Sequence, residues 1–123
     1  LNPFFTQQLE WGPCAEFART DADRAAYADP RYDCAYLDVP LDYGDPGAST
    51  ARIAMLRQKA LDPSARIGSL FVDPGGPGGS GVAFLPSLAG VIGDGEVAQR
   101  FDLIGFDPRG VGVSEPAIDC STT

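Results

Sequence analysis

Asp73-Pro-Gly-Gly-Pro-Gly-Gly-Ser-Gly81 decides the fold. It follows directly on the apolar run Ile67–Val72, which predicts a strand, and it precedes Val82, Leu85 and Leu88 at helical spacing. If the helix begins near Phe84, Pro86 sits in its first turns. A second apolar run, Phe101–Phe106, predicts another strand. Strand, loop, helix and strand make one βαβ unit, which implies a parallel pair with a right-handed crossover.

Upstream, Cys34–Val39 is a short run of strand formers closed by Pro40. Leu41–Ser49 is rich in turn residues, and Thr50–Gln58 alternates as a half-buried strand does. These two runs predict an antiparallel pair. A helix is expected from Asp21 to Ala28, with Thr20 as N-cap, Asp23 as an acidic capping-box partner, and Pro30 as its end. Leu1–Pro13 is a mixed lead-in whose Trp11 is expected to pack on the body. The fold class is therefore α/β: an antiparallel strand pair followed by a βαβ unit. We divide the chain into a lead-in with its helix (1–33) and a core (34–123).

Composition bounds the function. The chain has 123 residues, enough for one small domain, and 44% of them are hydrophobic, enough for a core. A net charge of −8 leaves no basic footprint for nucleic acid. No run is long enough to span a bilayer. The opening Leu1-Asn2-Pro3 lacks a leader pattern, as expected of a mature exported protein or of a cytosolic one. The three cysteines, Cys14, Cys34 and Cys120, match no zinc spacing, and histidine is absent. Cys14 and Cys34 flank the first helix and could close a local loop, leaving Cys120 odd. Three reduced thiols are the alternative.

Chemistry is expected beyond the carboxyl ends of the two parallel strands. In the glycine loop, five glycines bare the backbone N–H groups and two prolines stiffen it. Preorganised N–H donors suit an oxyanion hole, and they equally suit a phosphate site. Gly76, Gly78 and Gly81 satisfy the dinucleotide pattern, with Asp107 ending the next strand. Against that reading, Asp73 and Pro74 separate strand from glycines, Pro77 stiffens the turn, and an antiparallel pair comes first. No Lys-Ser or Lys-Thr follows the glycines, so a Walker A loop is excluded. At the second strand end, Asp107 and Arg109 are expected to form an ion pair across a tight turn. That pair would fix the loop beside the glycines, with Gly110 and Gly112 allowing unusual dihedrals.

Pro74–Gly81 together with Phe101-Asp-Leu-Ile-Gly-Phe-Asp-Pro-Arg-Gly-Val-Gly-Val-Ser114 resembles the secreted actinobacterial tripeptidyl aminopeptidases. That family has the α/β-hydrolase fold and is related to proline iminopeptidases. Trp11-Gly-Pro-Cys14, Cys34 and Val39-Pro-Leu-Asp-Tyr43 resemble its opening segment. The resemblance implies a serine peptidase that releases short peptides from free N-termini and needs no metal or organic cofactor. It implies that Gly76, or Gly75 as the near alternative, donates a backbone N–H to the oxyanion hole. Pro77, Asp107, Arg109 and Gly110 would then be structural at that site. It further implies a Cys14–Cys34 disulfide and a partner for Cys120 outside this chain.

The resemblance stops at the nucleophile. Neither Ser80 nor Ser114 stands in a Gly-x-Ser-x-Gly elbow, and without histidine the usual general base is missing. The chain is therefore expected to be the N-terminal part of the enzyme and inactive alone. It would pack against the remaining C-terminal part, in the same or a separate chain and linked through Cys120. An esterase or lipase on the same fold, a dinucleotide oxidoreductase fragment and a noncatalytic interaction fragment are the alternatives.

Overall fold

A computed structural model describes residues 1–118. Helix α1 (Asn2–Phe5) opens the chain, followed by α2 (Asp21–Tyr27) and the strands β1 (Tyr32–Pro40), β2 (Thr50–Gln58) and β3 (Gly68–Val72). Helices α3 (Gly81–Ile92) and α4 (Glu96–Arg100) come next and lead into β4 (Phe101–Phe106). One sheet holds all four strands in the order β1-β2-β4-β3. The β1–β2 and β2–β4 pairs are antiparallel, and β3–β4 is parallel, with Leu70 opposite Leu103. The predicted antiparallel pair and βαβ unit are both present.

Alternation of side chains sorts the core into two layers. From β2, Ala54 and Leu56 join Leu103 of β4 and meet Val82 and Leu85 of α3, with Phe17 and Tyr27 closing the cluster. On the opposite face, Ile53, Met55 and Ile104 pack with Trp11, Leu37 and Val39. Strand β2 is therefore not half-buried as expected. Ile53 to Leu56 are all buried, because β2 lies between two strands and carries apolar residues on both faces. Trp11 packs as expected. The Arg57 guanidinium lies 3.9 Å from the centre of its ring and holds Asp33 with two hydrogen bonds of 2.9 and 2.6 Å.

Local signals explain most element ends. Thr20 Oγ1 accepts from the Asp23 amide at 3.0 Å, and an Asp23 carboxylate oxygen accepts from the Arg19 amide at 3.1 Å. This is the expected reciprocal cap, set back by one residue on its acidic side. Helix α3 starts at Gly81, three residues before Phe84, and Ser80 caps it: Ser80 Oγ accepts from the Ala83 amide at 3.0 Å. Pro86 consequently sits inside the helix and has no N–H to offer the Val82 carbonyl. Pro40 is the last residue of β1 rather than a stop beyond it, which an outer strand tolerates. The five-residue α4 was not anticipated.

Cys14 and Cys34 form a disulfide, with Cα atoms 5.0 Å apart. The bond is buried, and the Gly12–Cys34 bridge runs beside it. It ties the lead-in to β1. Cys120 lies outside the described residues, so its expected pairing is not addressed by the structure.

Candidate functional site

Strands β3 and β4 run parallel, so the segments after their carboxyl ends emerge side by side. The first is the glycine loop. Gly75, Gly76 and Gly78 have φ of 71°, 58° and 105°, a region in which a side chain is strained. Residues 73–78 are exposed, Pro77 among them. Asp73 Oδ1 accepts from the Gly75 amide at 3.0 Å. The Gly76 amide, by contrast, meets no acceptor among the described residues. Among the described residues the loop thus presents the N–H groups of Gly76, Gly78 and Gly79 without an acceptor, while that of Gly75 is engaged.

The second segment is Asp107–Ser114, and its centre is Asp107. This residue is completely buried. Its Oδ1 accepts from Ser80 Oγ at 2.6 Å and from the Val82 amide at 3.1 Å, and its Oδ2 accepts from the Val113 amide at 2.9 Å. The Asp107 amide donates to the Ala54 carbonyl at 3.0 Å. Ser114 Oγ donates to the Asp107 carbonyl at 2.6 Å and accepts from the Ala54 amide at 2.8 Å. Gly112, at φ 55°, lets the turn fold over the carboxylate, where a Cβ would overlap Oδ2. One buried side chain thereby joins β2, β4, the start of α3 and the following turn.

The expected Asp107–Arg109 ion pair does not form. The carboxylate points inward to the α3 N-terminus, while Arg109 is exposed and donates through Nη1 to the Leu41 carbonyl at 3.2 Å. Its guanidinium lies 5.9 Å from the centre of the Tyr43 ring. Desolvating a carboxylate is tolerable here because three N–H and O–H donors and a helix N-terminus replace water. Gly110 has φ 80° and leaves no room for a Cβ beside Ile118. Ser80 and Ser114 carry roles that sequence reasoning missed. Ser80 does stand where an N-cap serine belongs, immediately before the apolar periodicity, and that signal was available.

Nearby charge reaches one more group. Burial pushes the Tyr27 phenol up to about 12, and the carboxylates of Asp23 and Asp107 add to the effect. No cluster of metal-binding side chains occurs among the described residues. No described helix is long and apolar enough to cross a membrane.

The geometry also bears on the dinucleotide reading. A pyrophosphate in that arrangement sits on the helix N-terminus. Here the Val82 and Ala83 amides are already taken by Asp107 and Ser80. The chain's own Asp107 carboxylate thus takes the place of an anion at the helix end, which counts against the dinucleotide reading.

No family model matches the chain. It is 42% identical over 120 residues to carboxylesterase B of Mycobacterium tuberculosis and 38% identical over 121 residues to the serine protease Hip1 of the same species. Both matches take in 98% of the chain. Over 91 residues, or 71% of the chain, it is 43% identical to a tripeptidyl aminopeptidase of Streptomyces coelicolor. The chain belongs to this family of hydrolases. It spans 22% of the length of carboxylesterase B and of Hip1, and 16% of the aminopeptidase. Those names divide between ester and peptide hydrolysis, and what they share is hydrolysis.

Proposed function

We propose that the chain is the N-terminal, oxyanion-stabilising part of an exported serine hydrolase that cleaves short peptides from free N-termini. The observation that carries this reading is the exposed Gly76 amide, unpartnered among the described residues, at the carboxyl end of β3. Gly76 is favoured over Gly75 because the Gly75 amide is bonded to Asp73. The nucleophilic serine, the acid and the histidine come from sequence outside these 123 residues. That sequence packs along the outer edge of β3, where Leu70 and Phe71 are exposed.

In the reaction, the serine oxygen attacks the substrate carbonyl while the histidine takes its proton. The carbonyl oxygen becomes anionic and is held by the Gly76 N–H, a donor worth about 2.7–4 kcal/mol in this role. The intermediate then collapses, the histidine passes its proton to the departing amine, and water hydrolyses the acyl-serine ester to release the short peptide as its carboxylic acid. No metal or organic cofactor enters. The buried Cys14–Cys34 disulfide supports export, since such bonds persist in oxidising compartments. Cys120 pairs with a cysteine outside the chain.

The test is a crystal structure of the full-length enzyme with a peptide boronate on its serine. A boronate oxygen within about 3.1 Å of the Gly76 nitrogen is expected. An oxygen directed to other donors, or failure of any serine to react, overturns the reading. Comparing turnover of a tripeptide p-nitroanilide with that of p-nitrophenyl acetate then separates peptidase from esterase.

A further inference from the structure

We propose that Ser80 and Asp107 act together as positioning residues that hold the Gly76 amide where the anionic oxygen forms; this rests on the oxyanion reading above. Little inside the exposed part of the loop fixes its shape. Within residues 73–78 the one side-chain bond is Asp73 to the Gly75 amide, and it lies on the strand side of Gly76. The orientation of Gly76 is therefore set chiefly by where the loop re-enters the body, which is Ser80.

Ser80 is held in one way only. Its oxygen accepts from the Ala83 amide, so its single proton goes to Asp107 Oδ1 at 2.6 Å. A hydroxyl donating to an ionised carboxylate makes a short, strong bond. The carboxylate itself cannot move, because the Val82 and Val113 amides grip both its oxygens. Its backbone is bonded to Ala54 on one side and Ser114 on the other. Immediately after Ser80, Gly81 lies flat against Phe106, where a Cβ would overlap the carbonyl oxygen. The free end of a glycine-rich loop is thus pinned to the most buried point of the site.

The measurement compares Ser80→Ala and Ser80→Thr with wild type in the full-length enzyme. Turnover of a tripeptide p-nitroanilide is normalised by fluorophosphonate titration of the active serine. Ser80→Ala deletes the link to the carboxylate and leaves both amide bonds of Asp107 in place. Since small misplacements of catalytic groups cost up to about 100-fold, kcat is expected to fall about 10- to 100-fold with KM within about 3-fold. Ser80→Thr keeps the hydroxyl and is expected to restore most of kcat. A lower Tm with normalised kcat unchanged would assign Ser80 to stability alone and overturn the proposal. So would a loss that Thr fails to rescue while the Thr variant melts as wild type. Asp107→Asn is less discriminating, because its amide group must oppose a backbone N–H. The boronate structure of the wild-type enzyme tells the two failures apart. If its oxygen sits on Gly76 and Ser80→Ala turns over normally, only the positioning role falls. If the oxygen is elsewhere, both readings fall.

Discussion

Two glycines of α3 should respond to alanine with opposite signs. A Cβ on Gly81 would overlap the Phe106 carbonyl oxygen and lie 2.7 Å from the Phe106 nitrogen, both backbone atoms of β4. Neither can rotate away, so the helix start must lift from the strand. Lifting it strains the Asp107 bonds to Ser80 Oγ at 2.6 Å and to the Val82 amide at 3.1 Å. Overpacking costs about 1–3 kcal/mol, and a buried polar group left unpaired adds about 1–3 kcal/mol. Gly81→Ala is therefore expected to destabilise by about 2–6 kcal/mol. Gly90, nine residues along the same helix, has nothing within 4 Å of a built Cβ and no positive φ. Gly90→Ala trades a poor helix former for the best one and should stabilise by about 0.5–1 kcal/mol. Urea unfolding of the full-length protein measures both, with hydrogen exchange across 81–92 as the local readout. A Gly81→Ala protein within about 0.5 kcal/mol of wild type, or two shifts of the same sign, would refute the backbone contact between α3 and β4.

Replacing Cys14 and Cys34 together by serine reopens a loop of sequence separation 20 and should cost about 3 kcal/mol; a urea midpoint unmoved by the double substitution or by reductant would contradict this. Tyr27 gives a pH signature: its phenol rises from 10.0 to about 12 on folding, so the folded state keeps the proton longer. The unfolded chain then binds fewer protons above pH 10, and stability should fall between pH 10 and about 12. Tyr27→Phe should flatten that fall in denaturation curves compared across the same range, and an unchanged slope would remove Tyr27 as its source.

The sheet was legible because its strands carry strong local signals. Phe101–Phe106 and Ile67–Val72 are apolar runs, and the glycine loop between Val72 and α3 marks a strand-to-helix crossing. Thr20 and Asp23 announced α2 for the same local reason. A start of α3 near Phe84 would have kept Pro86 in the first turns, but the Ser80 cap, the Asp107 bond to the Val82 amide and the burial of Val82 and Leu85 together hold the helix from Gly81 despite that proline. Helix α4 escaped because Glu96–Arg100 is little more than one turn and carries no side-chain cap bond. At the site, Asp107 and Arg109 looked like a pair because they are neighbours in sequence. The bond that forms instead joins Asp107 to Ser80, 27 residues away, and only the parallel pairing of β3 with β4 brings those two together. Sequence spacing reports local partners well, but it cannot report a partner that depends on a crossover.

That non-local bond also settles how the two kinds of anion site compete. A helix N-terminus after a glycine loop offers both its own amides and those of the loop to a negative ligand. In this chain the helix amides are occupied from within: Val82 by Asp107 and Ala83 by Ser80. The internal carboxylate partly offsets the positive end of the α3 dipole. What remains without an acceptor among the described residues lies in the loop, where the Gly76, Gly78 and Gly79 amides donate to nothing. Filling the helix end with Asp107 disfavours a resting anionic ligand there, and under the proposed function it leaves the loop amides for an oxyanion that forms only during reaction, the distinction on which transition-state stabilisation depends.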